Sequence, residues 1–359
     1  MPRITLLLGD RNGIGPELVA KFLARPKNYE GEEVEVLGDP AVLADGAEVA
    51  GVELDHSQFA VTPYLPVEDI QTERSVETAK AGEEVLALLY HASKRVQAGE
   101  SDGVVFAPLN KAAMHLGGLQ FDDEMRFIAD ALDWRESFGE LNVLDRADSL
   151  WTTRVTSHVP LKDVAQFITE GSVLTSIRFA HATLKSSGCA HPRVGVAALN
   201  PHAGDSGNFG MEEIEVITPA VEKAKLEQIN AIGPLPSDTI FVRAKDGQFD
   251  VVVTMYHDQG QIAMKLMGFG RGVTVLGGLP VPVTTCGHGT GYDIAGKGIA
   301  THEALKNAFV ICKRMAISRL STMTDNCLLY TSPSPRDQRG SGMPGCGWKK
   351  KGGGGGGGG

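Results

Sequence analysis

FDVVVTMYHDQGQIAMKLMGFGRGV, residues 249–273, holds the reading that decides the fold. Its very apolar first part reads as a buried strand ending at His257. Residues 259–267 read as the helix that follows. Two further segments repeat this form. LWTTRVTSH (150–158) ends at His158, and RVGVAALNPH (193–202) ends at His202. Each strand is followed by a segment expected to be helical, 161–169 and 212–230. Working outward, ITLLL (4–8), VEVLG (34–38) and GVVFAPLNK (103–111) read as strands, the last delivering Asn110 and Lys111 to its end. Residues 16–23, 75–98 and 124–132 read as helices. VTVLG (273–277) and VPVTT (281–285) read as short strands, and a last helix runs over about 302–320. Alternating β and α elements predict an α/β protein with mainly parallel sheets covered by helices.

Open α/β sheets place ligands outside the carboxyl ends of their strands. Three imidazoles carried to such an edge would make a divalent-metal centre with positions open to substrate. The histidines lie far further apart than zinc-finger ligands do, but at spacings natural for separate βα units. Any one of them alone reads more readily as a structural residue. Zinc, cobalt and manganese suit imidazole donors, and magnesium suits them less.

The chain has 359 residues and a net charge of −10. From about Ser321 the composition changes to Ser, Pro and Gly, ending in eight glycines (Gly352–Gly359). Such a stretch buries too little apolar surface to fold, and 321–359 is expected to be a disordered, non-native tail. That tail is net basic, so the body is more acidic than the whole. An acidic body speaks against nucleic acid or an anionic membrane as partner. No apolar stretch is long enough to span a bilayer, and the opening MPRITLLLGD is too short for a signal peptide. The cysteines are scattered with no CxxC pair. A reduced, cytoplasmic protein is expected.

Several further segments carry chemistry. GDRNGIGPEL (9–18) is a glycine-rich turn opening a helix at Pro16. It reads as a structural turn or as a loop whose N–H groups hold an anion. The dinucleotide fingerprint fails there because Leu18 stands where a third glycine is needed. In GPLPSDTIF (233–241), Asp238 is a turn former or a hydroxyl acceptor. In CGHGTGYDIAGKG (286–298), His288 is a cofactor contact or a loop cap, and glycines such as Gly289 let a ligand approach the backbone. Asp258 stands beside His257 and can orient its ring or a water. Lys265 comes two helical turns later and can return to the same face. Glu124 and Arg126 share one helical turn, as an exposed ion pair or as a clamp on a substrate carboxylate.

In order, these segments resemble the 4-hydroxythreonine-4-phosphate dehydrogenase (PdxA) family from about Ile4 to Ile317. GDxxGIGPE, SHVPL, NPHAG with FG.EE, GP.P.DT.F, HDQG with RGV, and HGT with IAG all appear. The resemblance implies an isocitrate/isopropylmalate-dehydrogenase-like fold of two lobes, 1–118 with 285–320, and 119–284, with a cleft between them. It implies a homodimer with a shared active site acting on a small molecule. It implies His158, His202 and His257 as metal ligands, with His257 reaching the shared site. Lys265 is implied as a substrate contact and, with Asp258, as a catalytic group. Asp238, His288 and Gly289 are the expected contacts to NAD or NADP. The family reaction oxidises a secondary alcohol, and a β-keto acid product then decarboxylates. A bound divalent ion favours such an oxidation by lowering the pKa of the alcohol.

The departures concern specificity. Vitamin B6-pathway members carry Gly-His-Thr-Glu where this chain has Asp123, Glu124, Met125 and Arg126. A substrate-binding Asn is matched by Thr274, and an Arg by Val283. Lost polar contacts change which substrate is accepted. The expected substrate is therefore a phosphorylated 2,3-dihydroxy acid, as in the phosphothreonate-dehydrogenase branch. Glu124, Arg126 and Thr274 would line its site, with Arg126 as the replacement anion contact. The alternatives are 4-hydroxythreonine-4-phosphate dehydrogenase proper, and a non-catalytic binding protein that keeps the fold.

Overall fold

The computed structural model describes residues 1–68, 70–144 and 150–331. Residues Met1–Arg319 form one compact unit. Its eleven strands are β1 (Arg3–Leu7), β2 (Glu33–Gly38), β3 (Ala60–Pro63), β4 (Gly103–Phe106), β5 (Gly139–Leu144), β6 (Leu150–Arg154), β7 (Arg193–Ala197), β8 (Asn230–Leu235), β9 (Val251–Thr254), β10 (Gly272–Gly277) and β11 (Val283–Cys286). They make one sheet in the order β3-β2-β1-β4-β11-β10-β5-β6-β9-β7-β8. Pairing is parallel except at β11–β10, β10–β5 and β5–β6. This is the α/β class with a mainly parallel sheet. Two parallel blocks, β3-β2-β1-β4-β11 and β6-β9-β7-β8, run in opposite directions and are joined through the β10–β5 pair.

Burial explains the apolar runs. Val251–Thr254 is buried at every position, and so is Gly103–Phe106, because helices cover both faces. Helix starts follow local chemistry. Thr78 caps Ala79–Gln97 through the Ala81 N–H, Asp39 caps Pro40–Ala50 through Ala41, and Asp123 caps Glu124–Ala131 through Arg126. The expected helix at 161–169 is instead a short turn and Val164–Phe167, followed by a longer helix, Glu170–Ser186. Reciprocal bonds between Thr169 and Ser172 start that longer helix. Asp238 stands in the first turn of a helix, Ser237–Lys245, where a turn former or a hydroxyl acceptor was expected. Pro236 precedes it, and Ile240, Phe241 and Ala244 bury one helical face.

The last helix, Glu303–Thr331, continues past the expected break at Ser321. Residues 321–331 contain neither Gly nor Pro, and the first helix-breaking proline is Pro333. The remainder of the expected tail, 332–359, lies outside the described residues. No helix among the described residues is long and apolar enough to cross a membrane.

The glycine-rich first turn is closed on itself. Asn12 N–H donates to Asp10 Oδ1 (2.9 Å), Gly13 N–H to the Asp10 carbonyl (3.1 Å) and Ile14 N–H to the Thr290 carbonyl (2.9 Å). These amides are therefore not available to an anion. Arg11, 3% exposed, donates two bonds to Glu84 (2.6 and 2.7 Å) and reaches Asp39 at 3.2 Å. Tyr292 Oη donates to Asp10 Oδ2 at 2.6 Å, tying the 286–298 loop to the turn. Gly9 has φ +76°, and a Cβ there would stand 2.6 Å from the Pro108 carbonyl oxygen, so only glycine fits. Of the two readings of this turn, the structure supports the structural one.

Candidate active site

A cavity of about 680 Å³ opens where β5, β6 and β10 meet the Glu124–Ala131 helix. Its wall includes Lys111, Glu124, Arg126, Glu140, Arg154, His158 and Thr274. Arg154 organises it. The residue ends β6 with its side chain only 7% exposed. Its guanidinium donates to Glu140 Oε2 (2.7 Å), Asn142 Oδ1 (3.3 Å) and Ser157 Oγ (2.9 Å). Asn142 donates in turn to Glu140 Oε1 (3.0 Å) and Thr274 Oγ1 (3.2 Å), and accepts from Gln261. Burial alone would raise the Glu140 pKa, but the Arg154 charge and hydrogen bond outweigh it, so Glu140 is held below the ordinary glutamate range.

His158 and His257 meet at this network. Their ring centroids are 5.7 Å apart. His158 follows β6 in a left-handed conformation (φ 51°) that turns the chain out of the strand. Partial desolvation of this otherwise exposed ring, with the charges of Arg154 and Lys111 and the nearby His257, holds its pKa below the usual histidine value. His257 Nδ1 pairs with Asp258 Oδ1 at 2.7 Å, which fixes the ring and leaves Nε2 for a ligand.

His202 is held elsewhere. Its ring packs on Phe209 with centroids 6.2 Å apart. Among the described residues no three His, Cys, Asp or Glu side chains come together as a metal-ligand group. Two of the three expected ligands are thus brought together within one chain, and the third stands on a separate loop. The donor chemistry of the pair suits a divalent ion: the His257 ring is oriented by Asp258, and two imidazoles approach one another.

The other expected residues divide between cavity and surroundings. Thr274 and Glu124 line the cavity. One Glu124 oxygen, Oε2, is buried with no hydrogen-bond partner and stands 3.7 Å from Lys111 Nζ. Arg126 lines it too, but its guanidinium is bonded to Asp123 and lies 3.7 Å from Asp122. That pairing argues against its expected role as the anion contact. Lys111, 52% exposed, is held more loosely, by Glu124 at 3.7 Å. Lys265 shares the His257–Gly268 helix with His257 and lines a neighbouring hollow with Asn142, Gln261 and Gly287. Asp238, His288 and Gly289 lie outside the large cavity's lining. His288 Nδ1 is 3.0 Å from the Gly289 carbonyl, and the space around the Gly289 Cα is open, as close approach of a ligand requires.

Arg154, Glu140, Asn142 and Lys111 were not singled out as site residues in the sequence. Arg154 had a signal: a charged residue inside the apolar run LWTTRV. Glu140 and Asn142 had none, because their strand, β5, was not recognised. Cys286 also lines the cavity, but burial pushes its thiol up to about 12, so it is no nucleophile at neutral pH.

With this geometry in place, the likeness to known proteins is informative. The family model described as pyridoxal phosphate biosynthetic protein PdxA matches residues 30–312. The chain belongs to the PdxA family. A Rhizobium meliloti (strain 1021) relative named "Putative 4-hydroxythreonine-4-phosphate dehydrogenase 2" is 44% identical over 88% of this chain and 93% of its own length. An Oceanobacillus iheyensis PdxA relative, "Putative D-threonate 4-phosphate dehydrogenase", is 35% identical over 86% of this chain and 96% of its own. The solved 4-hydroxythreonine-4-phosphate dehydrogenase from Burkholderia phymatum superposes with a TM-score of 0.72 at 34% identity, covering 88% of this chain and 98% of that one. As a PdxA member this chain is a dehydrogenase acting on a CH–OH group.

Proposed function

We propose that this protein is a metal-dependent, NAD(P)-linked dehydrogenase that oxidises a secondary alcohol of a phosphorylated 2,3-dihydroxy acid, followed by decarboxylation of the keto acid. The observation that carries this is the apposition of His257 to His158, which stands on the wall of a cavity that also holds Lys111 and Arg154. His158 and His257 would hold the ion, with His202 completing the set. A divalent ion so held would acidify the substrate hydroxyl ahead of hydride transfer and polarise the resulting ketone for loss of carbon dioxide.

The chain's own groups do the rest. Asp258 fixes the His257 ring. Arg154, neutralised by Glu140, sets the wall against which the substrate lies. Lys111 offers an ammonium to the substrate's anionic group, in place of Arg126. Thr274 and the unpartnered Glu124 oxygen accept or exchange hydrogen bonds with substrate hydroxyls. Lys265, from the adjoining hollow, binds the substrate's far end or moves a proton, and Asp238, His288 and Gly289 hold the nicotinamide cofactor.

We take 1–118 with 285–320, and 119–284, as the two lobes, and a second copy of the chain as partner in a shared site. Apolar side chains near the ligands support that pairing. Ile262 (58% exposed) and Leu266 (84%) lie on the His257 helix, and Phe209 (50%) and Ile214 (48%) lie beyond His202. The altered 123–126 stretch supports the dihydroxy acid over 4-phosphohydroxythreonine, while relatives carry both names.

The test is absorbance at 340 nm with D-threonate 4-phosphate and 4-hydroxythreonine 4-phosphate, each with NAD and NADP, with and without chelator. Reduction with the first substrate, abolished by chelator and restored by zinc or manganese, is expected. No reduction with either substrate, with metal and both cofactors supplied, would sink the proposal.

A further inference from the structure

Beyond the ligands themselves, we infer that Glu213 is a positioning residue that sets the turn carrying His202. Glu213 is a carboxylate only 2% exposed, and its described partners are three uncharged N–H groups. Oε1 accepts from the backbone N–H of Leu199 (2.9 Å) and of Asn200 (2.7 Å). Oε2 accepts from Asn200 Nδ2 (3.0 Å). Burying a carboxylate without a counter-charge is costly unless donors converge on it. Here the donors belong to the exit from β7, immediately ahead of Pro201 and His202.

Past that exit the backbone takes a shape that L-residues avoid. His202, Ala203, Asp205 and Ser206 have φ of 55°, 54°, 43° and 58°, with Gly204 at 78° between them. Consecutive left-handed residues persist only where their surroundings over-determine them. Glu213 supplies that constraint from two sides. It bonds the entry to the turn, and it packs against the middle, where a Cβ on Gly204 would stand 2.7 Å from Oε2. Glu212 adds a second acceptor for Asn200 Nδ2, at 2.7 Å. Glu213 also opens a single π-helical turn, Glu213–Ile217, an irregularity often found beside functional sites. Its carboxylate bonds the backbone that carries His202, so its effect on that imidazole travels through the turn.

The inference rests on the proposed metal role of His202, and the test separates the two. Zinc affinity of chelator-treated full chain is measured by calorimetry for wild type, Glu213→Gln, Glu213→Ala, His202→Ala and the His202→Ala/Glu213→Ala double variant. Histidine Cε1–H resonances are followed by NMR in metal-free protein, with His202 assigned by its loss in His202→Ala. Glu213→Ala is expected to weaken zinc binding about 10- to 100-fold, Glu213→Gln less, and the double variant no more than His202→Ala alone. The His202 resonance should move in Glu213→Gln while those of His158 and His257 stay. An unmoved His202 resonance, or a Glu213→Ala loss that adds in full to that of His202→Ala, overturns the inference. Unchanged zinc affinity in His202→Ala removes the metal reading alone, and the resonance still decides the positioning. Should Glu213→Ala fail to fold, the near-isosteric Gln variant carries both readouts.

Discussion

The 9–18 turn and the His158/His257 wall are both dense in motif residues, and they use their polar groups in opposite ways. In the turn, Arg11 is neutralised by Glu84 and Asp39, Asp10 is bonded by Asn12 and Tyr292, and the amides of residues 12–14 are consumed by the protein's own oxygens. Around His158 the bonding is looser: His257 Nε2 is left for a ligand, and Lys111 meets a Glu124 oxygen that has no hydrogen-bond partner only across 3.7 Å. A closed network holds a fold together, and an open one can bind. Motif density alone does not distinguish them; the pattern of hydrogen bonding does.

The sharpest break of this contrast is Arg11→Met. It leaves Glu84 buried and unpaired, and a loss of about 3–5 kcal/mol is expected in urea unfolding. A loss below ~1 kcal/mol would mean the turn is not the closed element described. His158→Ala should do the reverse: stability within about 0.5 kcal/mol of wild type, as for an exposed side chain, with kcat/KM lower by roughly 10²–10³-fold. Stability is read by the same unfolding curves, and activity by cofactor reduction.

The smallest effect is a difference in sign with pH. Burial raises the Asp10 pKa above the ordinary value of 3.8, so its stabilising contribution is complete below 3.8 and is lost as pH rises through the folded value. Glu140 is lowered from 4.5, so its contribution is complete above 4.5 and is lost as pH falls through the folded value. Stability measured from pH 3 to 7 should therefore change slope in opposite directions in Asp10→Asn and Glu140→Gln. Parallel curves for the two variants would remove the contrast.

Much of the fold was legible because buried parallel strands are continuous apolar runs that one residue's worth of boundary error does not hide. β9, β4 and β1 are of this kind. β5, GELNVL, was missed because it alternates and carries the site's Glu140 and Asn142 among its apolar residues. At the site, His158 and His257 were legible as strand-end imidazoles. Arg126 was legible as a cation of the site, but its attachment to Asp123 and Asp122 was not, because that depends on how the first turn of its helix is capped.

The sequence by itself determined the α/β class, the family and the candidate ligands, since these follow from periodicity and from an ordered series of short motifs. Only the tertiary structure decided which of those groups remain free to act. Whether Asp10 and Arg11 are spent depends on Tyr292 and Glu84. These lie far away along the chain, and the sheet and helices bring them within hydrogen-bond range. Hydrogen bonding and desolvation act over a few ångströms, and sequence separation carries no information about them.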